Sequence, residues 1–396
     1  MKEASTKSAS LGWRSTSSST SVQKVPSVNI DLEAGSEFFQ NTTVQSVSWS
    51  DLNVQVKNRK TRQPMSILTM CSGHVKAGEV LALMGPSGSG KTTLLNLLAG
   101  RSKVQGTGGI YINGDRTVGS DVQAVSSYAQ QEDVHIGGLT VAESVAFTSR
   151  LASPDVSKRE QQSHNEEVIQ ALGLHAQRDT VVSSPIRASL SGGQKRRLSL
   201  ANALVTGPKI LFLDEPTSGL DSAASHEVMQ YISQFAKRYG LIVIASIHQP
   251  SSSTLEFFDS VMLISQGRTC YFGPRCELTT YFEPISPIPP LTNPAEHLLN
   301  VINTDFHKDG SHLQRVQTIW NTWQHSREAK DVLGLSFKAD APRIQLSEPR
   351  RANFLLSCWI LLRRNWVKSY RDLLPYGTRL AINIGLAVVT GERHRR

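Results

Sequence analysis

The sequence has few cysteines, no long apolar run and almost no acidic residues near its carboxyl end. Its four cysteines among 396 residues show no spacing typical of a disulfide framework or a zinc site, so we expect free thiols in a reducing compartment. No continuous apolar stretch reaches the roughly 20 residues that a membrane-spanning helix needs. The amino terminus also lacks the apolar core of a secretory signal. These absences exclude a disulfide-rich secreted domain and predict a chain that, as written, does not cross a bilayer.

The net charge of +9 is concentrated at one end of the chain. Residues 350–396 contain ten basic residues but only two acidic ones, Asp372 and Glu392, and therefore hold eight of the nine excess positive charges. Because the rest of the chain is nearly neutral, its composition argues against a protein-wide nucleic-acid surface, and we expect no nucleic-acid partner. With 39% hydrophobic and 19% charged residues, the chain can bury a sizeable core.

From Val44 onward, short apolar runs alternate with helical patterns. The predicted strands are a strand pair within Val44–Val56 and single strands at Val80–Met84, Gly109–Ile112, Ile210–Leu213, Ile242–Ser246 and Val261–Ser265. The predicted helices are Lys91–Ala99, Ser157–Leu172, Gly192–Val205 and Ala223–Tyr239. Such an alternation predicts an α/β fold with a mostly parallel sheet covered by helices on both faces.

Composition divides the chain into five predicted segments. They are a disordered Ser- and Thr-rich start (1–40), a main domain (41–285), a linker with short helices that starts with Ala295–Val301 (286–349), an amphipathic helix (350–372) and an incomplete first membrane span with a basic tail (373–396). The amphipathic segment places tryptophans and leucines at helical spacing and basic residues on another face. It either lies in a membrane interface or packs on the main domain with a solvated basic face.

A glycine-rich stretch follows the predicted strand Val80–Met84 and opens the next helix. It consists of Gly85, Pro86, Ser87, Gly88, Ser89, Gly90, Lys91, Thr92 and Thr93. Glycines here let backbone N–H groups turn towards phosphate oxygens, and the helix amino terminus adds a favourable dipole. We predict that Lys91 bridges the β- and γ-phosphates of a nucleotide and that the Thr92 hydroxyl ligates Mg²⁺. The structural alternative is a Gly/Ser turn that precedes Lys-Thr by chance, and the flanking strand and helix argue against it.

A second chemical feature is the apolar run Ile210–Leu213, which ends in Asp214 and Glu215. An aspartate at a strand tip can hold Mg²⁺, directly or through water, and the neighbouring glutamate can polarise an attacking water. An apolar run followed by two acids is common where a strand meets solvent. After a phosphate-binding loop, however, it predicts a nucleotide hydrolase.

A second glycine-containing cluster, Leu190-Ser191-Gly192-Gly193-Gln194, lies about a hundred residues after Lys91 and opens another helix. Its backbone N–H groups form another phosphate-facing helix terminus. One chain cannot wrap two distant clusters around the same γ-phosphate, whereas two chains arranged head to tail can. The cluster therefore predicts a second copy of the domain, identical or related, as a partner.

These motifs resemble those of the ABC ATPases in both order and spacing. Gly85–Thr92 matches Walker A, Leu190–Gln194 the signature, Asp214-Glu215 Walker B, Ser218–Asp221 the D-loop, His248 the switch histidine, and Gln131 the Q-loop glutamine. The resemblance implies a P-loop core with an antiparallel β subdomain and an α-helical signature subdomain at about 135–205. It also implies that ATP and Mg²⁺ are bound.

The resemblance assigns roles to individual residues. The catalytic residues are Glu215, His248 and Gln131. The metal ligands are Thr92, Asp214 and Gln131. The adjacent Gln130 is the alternative candidate for the Q-loop glutamine. Nucleotide contacts fall to the Walker A residues together with Ser191, Gly192, Gly193, Gln194 and Asp221. In one respect the chain departs from the family, because Leu52–Val56 contains no aromatic residue to stack on adenine. Trp49 is the nearest candidate, and Val54 allows a merely apolar contact.

Further motifs resemble the G subfamily, the White-type half-transporters and their drug-resistance relatives. They include Leu190–Ser199, Asp214–Ser222, Ile247–Ser251, Tyr271–Pro274 and Asn293–Glu296. The resemblance implies a membrane-associated subunit with its ATPase domain on the cytosolic face, facing a membrane surface or a transmembrane domain. It also implies that ATP hydrolysis powers export of lipids, sterols or amphipathic xenobiotics.

Two other functions remain open at this point. The membrane segment predicted at 373–396 stops at about half the necessary length, which allows a truncated, non-transporting fragment that dimerises with full-length partners and regulates them. A soluble ABC ATPase of translation or DNA maintenance is the other alternative. Such proteins usually carry two cassettes or a long coiled coil, whereas this sequence shows one cassette and no sustained heptad pattern.

Overall fold

The computed structural model describes residues 36–57, 62–102, 104, 106–183, 189–290, 292–304, 310–336, 353–371 and 373–393. Residues 1–35, most of the segment predicted to be disordered, lie outside these ranges. Within that segment, Phe39 is buried in the core, with its ring edge-on to those of Phe235 and Tyr239. The packed part of the chain therefore starts before the predicted domain boundary at residue 41.

The strands of the described residues form two sheets. In chain order they are β1 (Ser46–Lys57), β2 (Pro64–Lys76), β3 (Val80–Met84), β4 (Gly106–Ile112), β5 (Asp115–Arg116), β6 (Ser126–Ala129), β7 (Ile210–Asp214), β8 (Ile242–Ile247), β9 (Ser260–Ser265) and β10 (Arg268–Pro274). The first sheet has the order β2-β1-β4-β5 and is antiparallel. The second has the order β10-β9-β3-β8-β7-β6, and all its neighbours are parallel except β9 and β10.

The prediction of a strand pair within Val44–Val56 is wrong, because β1 is one strand with an irregularity in its middle. Asp51 has a positive φ of 50°, and the pairing register with β2 shifts between Trp49 and Leu52. A bulge of this kind adds residues to one strand without ending the ladder, and it resets the inward and outward alternation. Trp49 and Leu52, three positions apart, are consequently both buried.

The central strands of the second sheet are buried along their whole length. Every residue of β3, β7 and β8 is buried, as expected for parallel strands covered on both faces. The carboxyl ends of parallel strands lie at one edge of the sheet, which is where ligands bind in open α/β folds. This arrangement brings together the loops that follow Met84, Asp214 and Ile247.

The helices of the described residues cover the sheets and extend beyond them. They are α1 (Lys91–Leu98), α2 (Gly119–Val125), α3 (Val141–Ala152), α4 (Lys158–Ala171), α5 (Gly192–Leu204), α6 (Ser222–Tyr239), α7 (Ser252–Leu255), α8 (Leu278–Phe282), α9 (Pro294–Ile302), α10 (Gly310–His325), α11 (Arg327–Ser336), α12 (Phe354–Arg371) and α13 (Leu373–Arg393). Within the predicted helical span 135–205, α3, α4 and α5 pack against one another. Each of the three begins with a reciprocal capping box, which satisfies otherwise unpaired N–H groups.

The segment 286–349, predicted as a linker with short helices, is partly packed into the domain. Helix α10 has 16 residues and contacts β10, while α11 contacts β2. Trp320 and Trp323 of α10 are buried in the main hydrophobic core, and the Arg268 guanidinium lies 4.8 Å from the centroid of the Trp320 ring. The described helices of this segment therefore extend the core rather than spanning a gap.

Helix α12 leaves most of its apolar side chains exposed. Phe354, Leu355, Trp359, Leu362, Trp366 and Tyr370 are all exposed. On the opposite face Ile360 is buried, and Arg371 forms a bidentate ion pair with Glu143 of α3, with N–O distances of 2.6 and 2.8 Å. Among the described residues, none of the helices combines the length and the apolar character that crossing a bilayer requires.

Candidate functional site

The loop between β3 and α1 forms an open cradle at the carboxyl edge of the second sheet. Its glycines at 88 and 90 have φ values of 74° and 103°, in the left-handed region where glycine carries no steric cost. Residues 87 to 93 line a cavity of about 680 Å³. All nine predicted residues, Gly85 to Thr93, thus belong to one loop and helix start.

The hydroxyl of Ser89 indicates what this cradle holds. Ser89 is 3% exposed, and its oxygen has no hydrogen-bond partner within the described residues. Unpaired buried polar groups are costly and call for an explanation, such as the binding of an ion or ligand. A polar ligand in the cradle would remove this cost, and the helix amino terminus makes an anion such as a nucleotide phosphate the best fit.

Lys91 is folded back onto the loop that precedes it. Its Nζ donates to the carbonyl oxygens of Gly85 at 2.8 Å and Pro86 at 2.9 Å. Burial lowers the pKa of Lys91, while the carboxylates of Glu215 and Asp214 act in the opposite direction. A desolvated ammonium beside the cradle can exchange its two neutral acceptors for charged phosphate oxygens, which form stronger hydrogen bonds.

Asp214 is held by three hydroxyl groups from three parts of the fold. Its Oδ1 accepts from Ser246 at 2.7 Å and from Thr92 at 3.3 Å, and its Oδ2 accepts from Tyr128 at 3.2 Å. Burial raises the pKa of Tyr128, and the neighbouring Asp214 raises it further. Sequence reasoning predicted Thr92 and Asp214 as magnesium ligands but missed Ser246 and Tyr128, because an isolated serine or tyrosine carries no motif.

The donor set around Asp214 fits Mg²⁺ better than a metal held by protein side chains alone. Among the described residues, no group of three or more His, Cys, Asp and Glu side chains could hold a metal. Mg²⁺ is usually bound by one or two carboxylates together with substrate phosphates and water. Thr92 and Asp214 supply a hydroxyl and a carboxylate, and the phosphate cradle lies next to them.

Glu215 stands at the junction of the predicted catalytic residues. Its backbone has a φ of 47°, a conformation that costs a non-glycine residue about 1–3 kcal/mol and that clusters at functional sites. Its backbone N–H donates to Ser246 Oγ at 2.9 Å, and its Oε2 accepts from Nε2 of Gln131 at 2.7 Å. The contact with Gln131 favours this residue over Gln130 as the Q-loop glutamine.

His248 and Glu215 share a second cavity, of about 580 Å³, that also contains Ser87. His248 is exposed at the carboxyl end of β8, and the residue after it, Gln249, has a positive φ of 46°. The structure therefore places His248 beside the phosphate cradle, exposed on the wall of this cavity. A third cavity contains Gln131 and Asp214.

The signature residues occupy a different surface. The Ser191 side chain and the Gln194 side chain cap the amino terminus of α5 reciprocally, with distances of 3.3 and 2.9 Å. Ser191 and Gly192 are exposed, and residues 191–194 line none of the three cavities around the phosphate cradle. The Asp221 carboxylate caps α6 by accepting from the N–H of Ala224 at 2.7 Å.

The base-contacting side of the cradle differs from the sequence expectation. Trp49 is buried, with its ring edge-on to Phe272, and Val54 is buried as well. The Trp49 and Val54 hypotheses for adenine are therefore wrong. Instead, β2 contributes Met65 and Ile67 to the wall of the phosphate cavity. Strand β2 was not predicted, since its serines and Gly73 interrupt the apolar pattern.

Comparison with known proteins agrees with this geometry. A family model described as ABC transporter matches residues 68–218. A protein named ABC transporter G family member 1, from Petunia hybrida, is 37% identical over 365 residues, or 87% of this chain. The chain contains an ABC transporter ATP-binding domain. Another relative, ABC transporter G family member 11 from Arabidopsis thaliana, is 35% identical over 386 residues, or 91% of this chain.

The ABC transporter relatives are longer than this chain. The matched regions make up 56% of the Petunia protein and 54% of the Arabidopsis protein, so the chain spans about half the length of these curated relatives. Among solved structures, CbiO1 from Clostridium perfringens, described as part of the ABC transporter complex CbiONQ, has a TM-score of 0.52 and 23% identity. The matched region makes up 61% of this chain and 93% of the CbiO1 chain. This match supports the ABC ATPase fold.

Replacing Ser246 by Ala is expected to raise the Mg²⁺ concentration needed for half-maximal ATP hydrolysis. The variant removes the shortest hydrogen bond to Asp214 and one acceptor of the Glu215 N–H. A free energy of unfolding lower by about 1–2 kcal/mol should accompany it. Ser265→Ala is the matched control, because Ser265 is also buried at the end of a strand but donates its 2.7 Å hydrogen bond to Ile302 O and not to a predicted magnesium ligand. Equal Mg²⁺ dependence in both variants would contradict a role of Ser246 at the metal.

Proposed function

We propose that the chain binds MgATP on the loop of residues 85–93 and hydrolyses it as one half of a head-to-tail dimer. The observation that carries this proposal is the separation of the two glycine clusters. The phosphate cradle lies in one set of cavities, whereas Ser191 and Gly192 are exposed on another surface at the capped start of α5. A second ATPase domain, identical or related, would supply its own α5 terminus to the nucleotide. Dimerisation that requires bound ATP is the test.

The side chains around the cradle divide the work of hydrolysis. Lys91 would neutralise charge on the phosphates. Thr92, Asp214 and Gln131 would hold Mg²⁺, which would supply screening of the negative charge that develops on the phosphate oxygens. Glu215 accepts a proton from the attacking water. Gln131 orients that water, since its side chain reaches the Glu215 carboxylate. His248 contacts the γ-phosphate from the other side.

Adenine contacts an aliphatic surface instead of an aromatic ring. Met65 is 49% exposed and lies with Ile67 on the cavity wall, while Trp49 is buried elsewhere. Aliphatic side chains give dispersion contacts to any purine and lack the preferred stacking geometry of an aromatic partner. We therefore expect weak discrimination between ATP and GTP, with affinity resting mainly on the phosphates.

The ATPase serves a membrane transporter of the G subfamily. Relatives with this name match most of the chain at 33–41% identity. We propose that the whole transporter exports lipids, sterols or amphipathic xenobiotics and that ATP-driven closure of two such domains switches the membrane part between its states. The domain is membrane-associated and faces the cytosol.

Helix α12 supplies the contact with the membrane surface. It exposes six large apolar or aromatic side chains, including Trp359 and Trp366, together with basic Arg363 and Lys368. A contiguous exposed apolar surface marks an interaction site, and tryptophans beside basic residues suit the headgroup region of an anionic leaflet. The Arg371–Glu143 ion pair ties this helix to α3, which follows the Q-loop, so that α12 can follow movements of the nucleotide site.

Replacing Trp359 and Trp366 together by Glu is expected to release the chain from vesicles that contain phosphatidylserine. Each substitution removes an exposed indole and adds a charge that the interface disfavours, and the loss should be at least about tenfold in the partition coefficient. Flotation of the full chain with such vesicles measures this.

Asn365→Glu serves as the control for the added charge. Asn365 is an exposed polar residue of the same helix, so its replacement adds a negative charge without removing apolar surface. Asn365→Glu should weaken flotation only modestly, by about 1 kcal/mol or less. Unchanged flotation of the double tryptophan variant would contradict an interfacial role for α12.

A further inference from the structure

Arg196 is a buried arginine outside the predicted site, on the second turn of α5. Only 2% of its side chain is exposed. Its guanidinium donates from Nε to Pro216 O (3.0 Å), from Nη1 to Gln130 O (2.6 Å), Gln131 O (3.2 Å) and Asp133 Oδ1 (3.0 Å), and from Nη2 to Asp214 O (3.0 Å). A guanidinium carries five N–H donors in a rigid plane, and here all three of its nitrogens are engaged.

The acceptors of Arg196 belong to two catalytic loops of the same chain. Gln130, Gln131 and Asp133 form the Q-loop, while Asp214 and Pro216 flank Glu215. In four of the five contacts the acceptor is a backbone carbonyl, so Arg196 fixes the path of the chain at the points from which Gln131 and Asp214 extend. It does not itself line any of the three cavities around the phosphate cradle.

The Q-loop side of this network forms further hydrogen bonds to α5. Asp133 accepts from Ser199 Oγ at 2.6 Å as well as from Arg196. Next to it, the ring of His135 lies 2.9 Å from the carbonyl oxygen of Lys195, measured at Nε2. Lys195, Arg196 and Ser199 all belong to α5, so a rigid shift of this helix carries the Q-loop with it.

The other end of α5 is the signature terminus. Arg196 follows Ser191 by five positions, which is less than one and a half helical turns, about 8 Å along the axis. An α-helix of this length is stiff. A ligand that contacts Ser191 and Gly192 therefore pushes or pulls on the guanidinium and, through it, on both catalytic loops.

We propose that Arg196 is a positioning residue that couples the two half-sites of one chain. It transmits the docking of a partner's nucleotide on the start of α5 to Gln131 and Asp214 in the chain's own site. This inference rests on the proposed head-to-tail dimer. Under this arrangement, hydrolysis at one site depends on closure at the other, and turnover rises cooperatively with ATP concentration.

The test compares ATP hydrolysis by the full chain and its Arg196→Lys variant over a range of ATP concentrations. Lysine keeps the charge, but its single ammonium cannot reach five acceptors spread over a plane. We expect a fall in kcat of about 10- to 100-fold, because small misplacements of catalytic groups have effects of this size. The Hill coefficient should fall from a value approaching 2 in the wild type to about 1. The dissociation constant for ATP without Mg²⁺ should change by less than about threefold, since no phosphate-binding residue is altered.

Arg197→Lys is the matched control on the next position of α5. Arg197 donates to Leu172 O and Gly173 O and lies over the Tyr231 ring at 5.5 Å, so it fastens helices α4 and α6 and not the catalytic loops. Its variant should keep kcat and the Hill coefficient. An equal loss in both variants, or a parallel loss of ATP affinity and kcat in Arg196→Lys, would reduce Arg196 to a general stabiliser of the fold and overturn the proposal.

Asp133→Asn keeps the test decisive if Arg196→Lys does not fold. The amide preserves the shape and the contact to Ser199 but weakens one of the five contacts of Arg196. It should lower kcat and the Hill coefficient in the same direction as Arg196→Lys but by less, and unchanged values would overturn the coupling. A wild-type chain that turns over ATP without dimerising would overturn the proposed function itself. A cooperative wild type whose Arg196→Lys variant is equally fast and cooperative would overturn only this inference.

Discussion

Replacing Glu215 by Gln should lower the ATPase turnover number by about 10²- to 10⁴-fold, the range that general-base catalysis contributes. Glutamine has almost the same shape, and its Oε1 can still accept the hydrogen bond that Gln131 Nε2 donates at 2.7 Å in the wild type. The Ser246 contacts to the backbone N–H are also unaffected. The substitution thus removes proton acceptance and little else.

The same variant should accumulate as a dimer with MgATP bound. In the proposed dimer, closure of two domains requires ATP and reopening requires its hydrolysis, so blocked hydrolysis would shift the population to the closed state. Light scattering after size exclusion would show the mass rising from 43.5 kDa towards twice that value when MgATP is added, and not when ADP is added. The wild type under turnover conditions should show a smaller dimer fraction than Glu215→Gln, because hydrolysis reopens the closed dimer.

Glu283→Gln is a suitable control for this experiment. Glu283 is exposed beyond the end of α8, so the variant makes the same chemical change away from the cradle. It should hydrolyse ATP at the wild-type rate. If Glu215→Gln also turns over at that rate, Glu215 is not the general base. A monomeric Glu215→Gln chain with bound MgATP would contradict the sandwich dimer.

Replacing Lys91 by Ala should abolish ATP binding at physiological concentrations. In the structure its ammonium is held 2.8 and 2.9 Å from two loop carbonyls, where it can turn to bound phosphates. Two charge-assisted hydrogen bonds contribute about 3–6 kcal/mol, which corresponds to a rise in the dissociation constant of about 10²- to 10⁴-fold. Titration with a fluorescent ATP analogue measures this constant directly.

Lys209→Ala is the matched control for Lys91→Ala. Lys209 likewise donates from Nζ to two carbonyls, those of Phe38 and Gln40, and burial lowers its pKa as well. Each variant should lower the free energy of unfolding by up to about 2 kcal/mol, because two carbonyl oxygens lose their hydrogen-bond donor. Only Lys91→Ala should lose ATP. If both variants bind ATP like the wild type, the phosphate role of Lys91 is wrong.

Features encoded in short contiguous stretches were predictable from the sequence. The central strands β3, β7 and β8 are uninterrupted apolar runs, and the motifs directly after them name the site residues. Helices α1, α5 and α6 begin within one residue of their predicted starts. Their N-cap residues are Gly90, Ser191 and Asp221, of types that are preferred at helix amino termini. Local propensity and patterning agree at these places, which is where sequence reasoning is reliable.

Elements stabilised by distant partners escaped prediction. Strand β2 pairs with β1 along most of its length, and its Gly73 is needed because a Cβ there would lie 2.5 Å from the Trp49 ring. This close approach is invisible in a linear pattern, and so is the consequence that Trp49 is unavailable to adenine. Helix α10 was read as part of a linker for a similar reason, since the burial of its tryptophans depends on β10.

The sequence was sufficient to predict the α/β class, the ABC transporter ATP-binding domain and the candidate ATP-binding residues, because the chemistry of phosphate binding requires particular residues at fixed short spacings. The three-dimensional arrangement added the partners that are far apart in the chain: Ser246 and Tyr128 on Asp214, Met65 and Ile67 beside the cradle, and Arg196 between the signature helix and two catalytic loops. These contacts join residues separated by up to 86 positions. Their geometry follows from how the sheets and helices pack, and a hydrogen bond between distant loops leaves no periodicity in either of them.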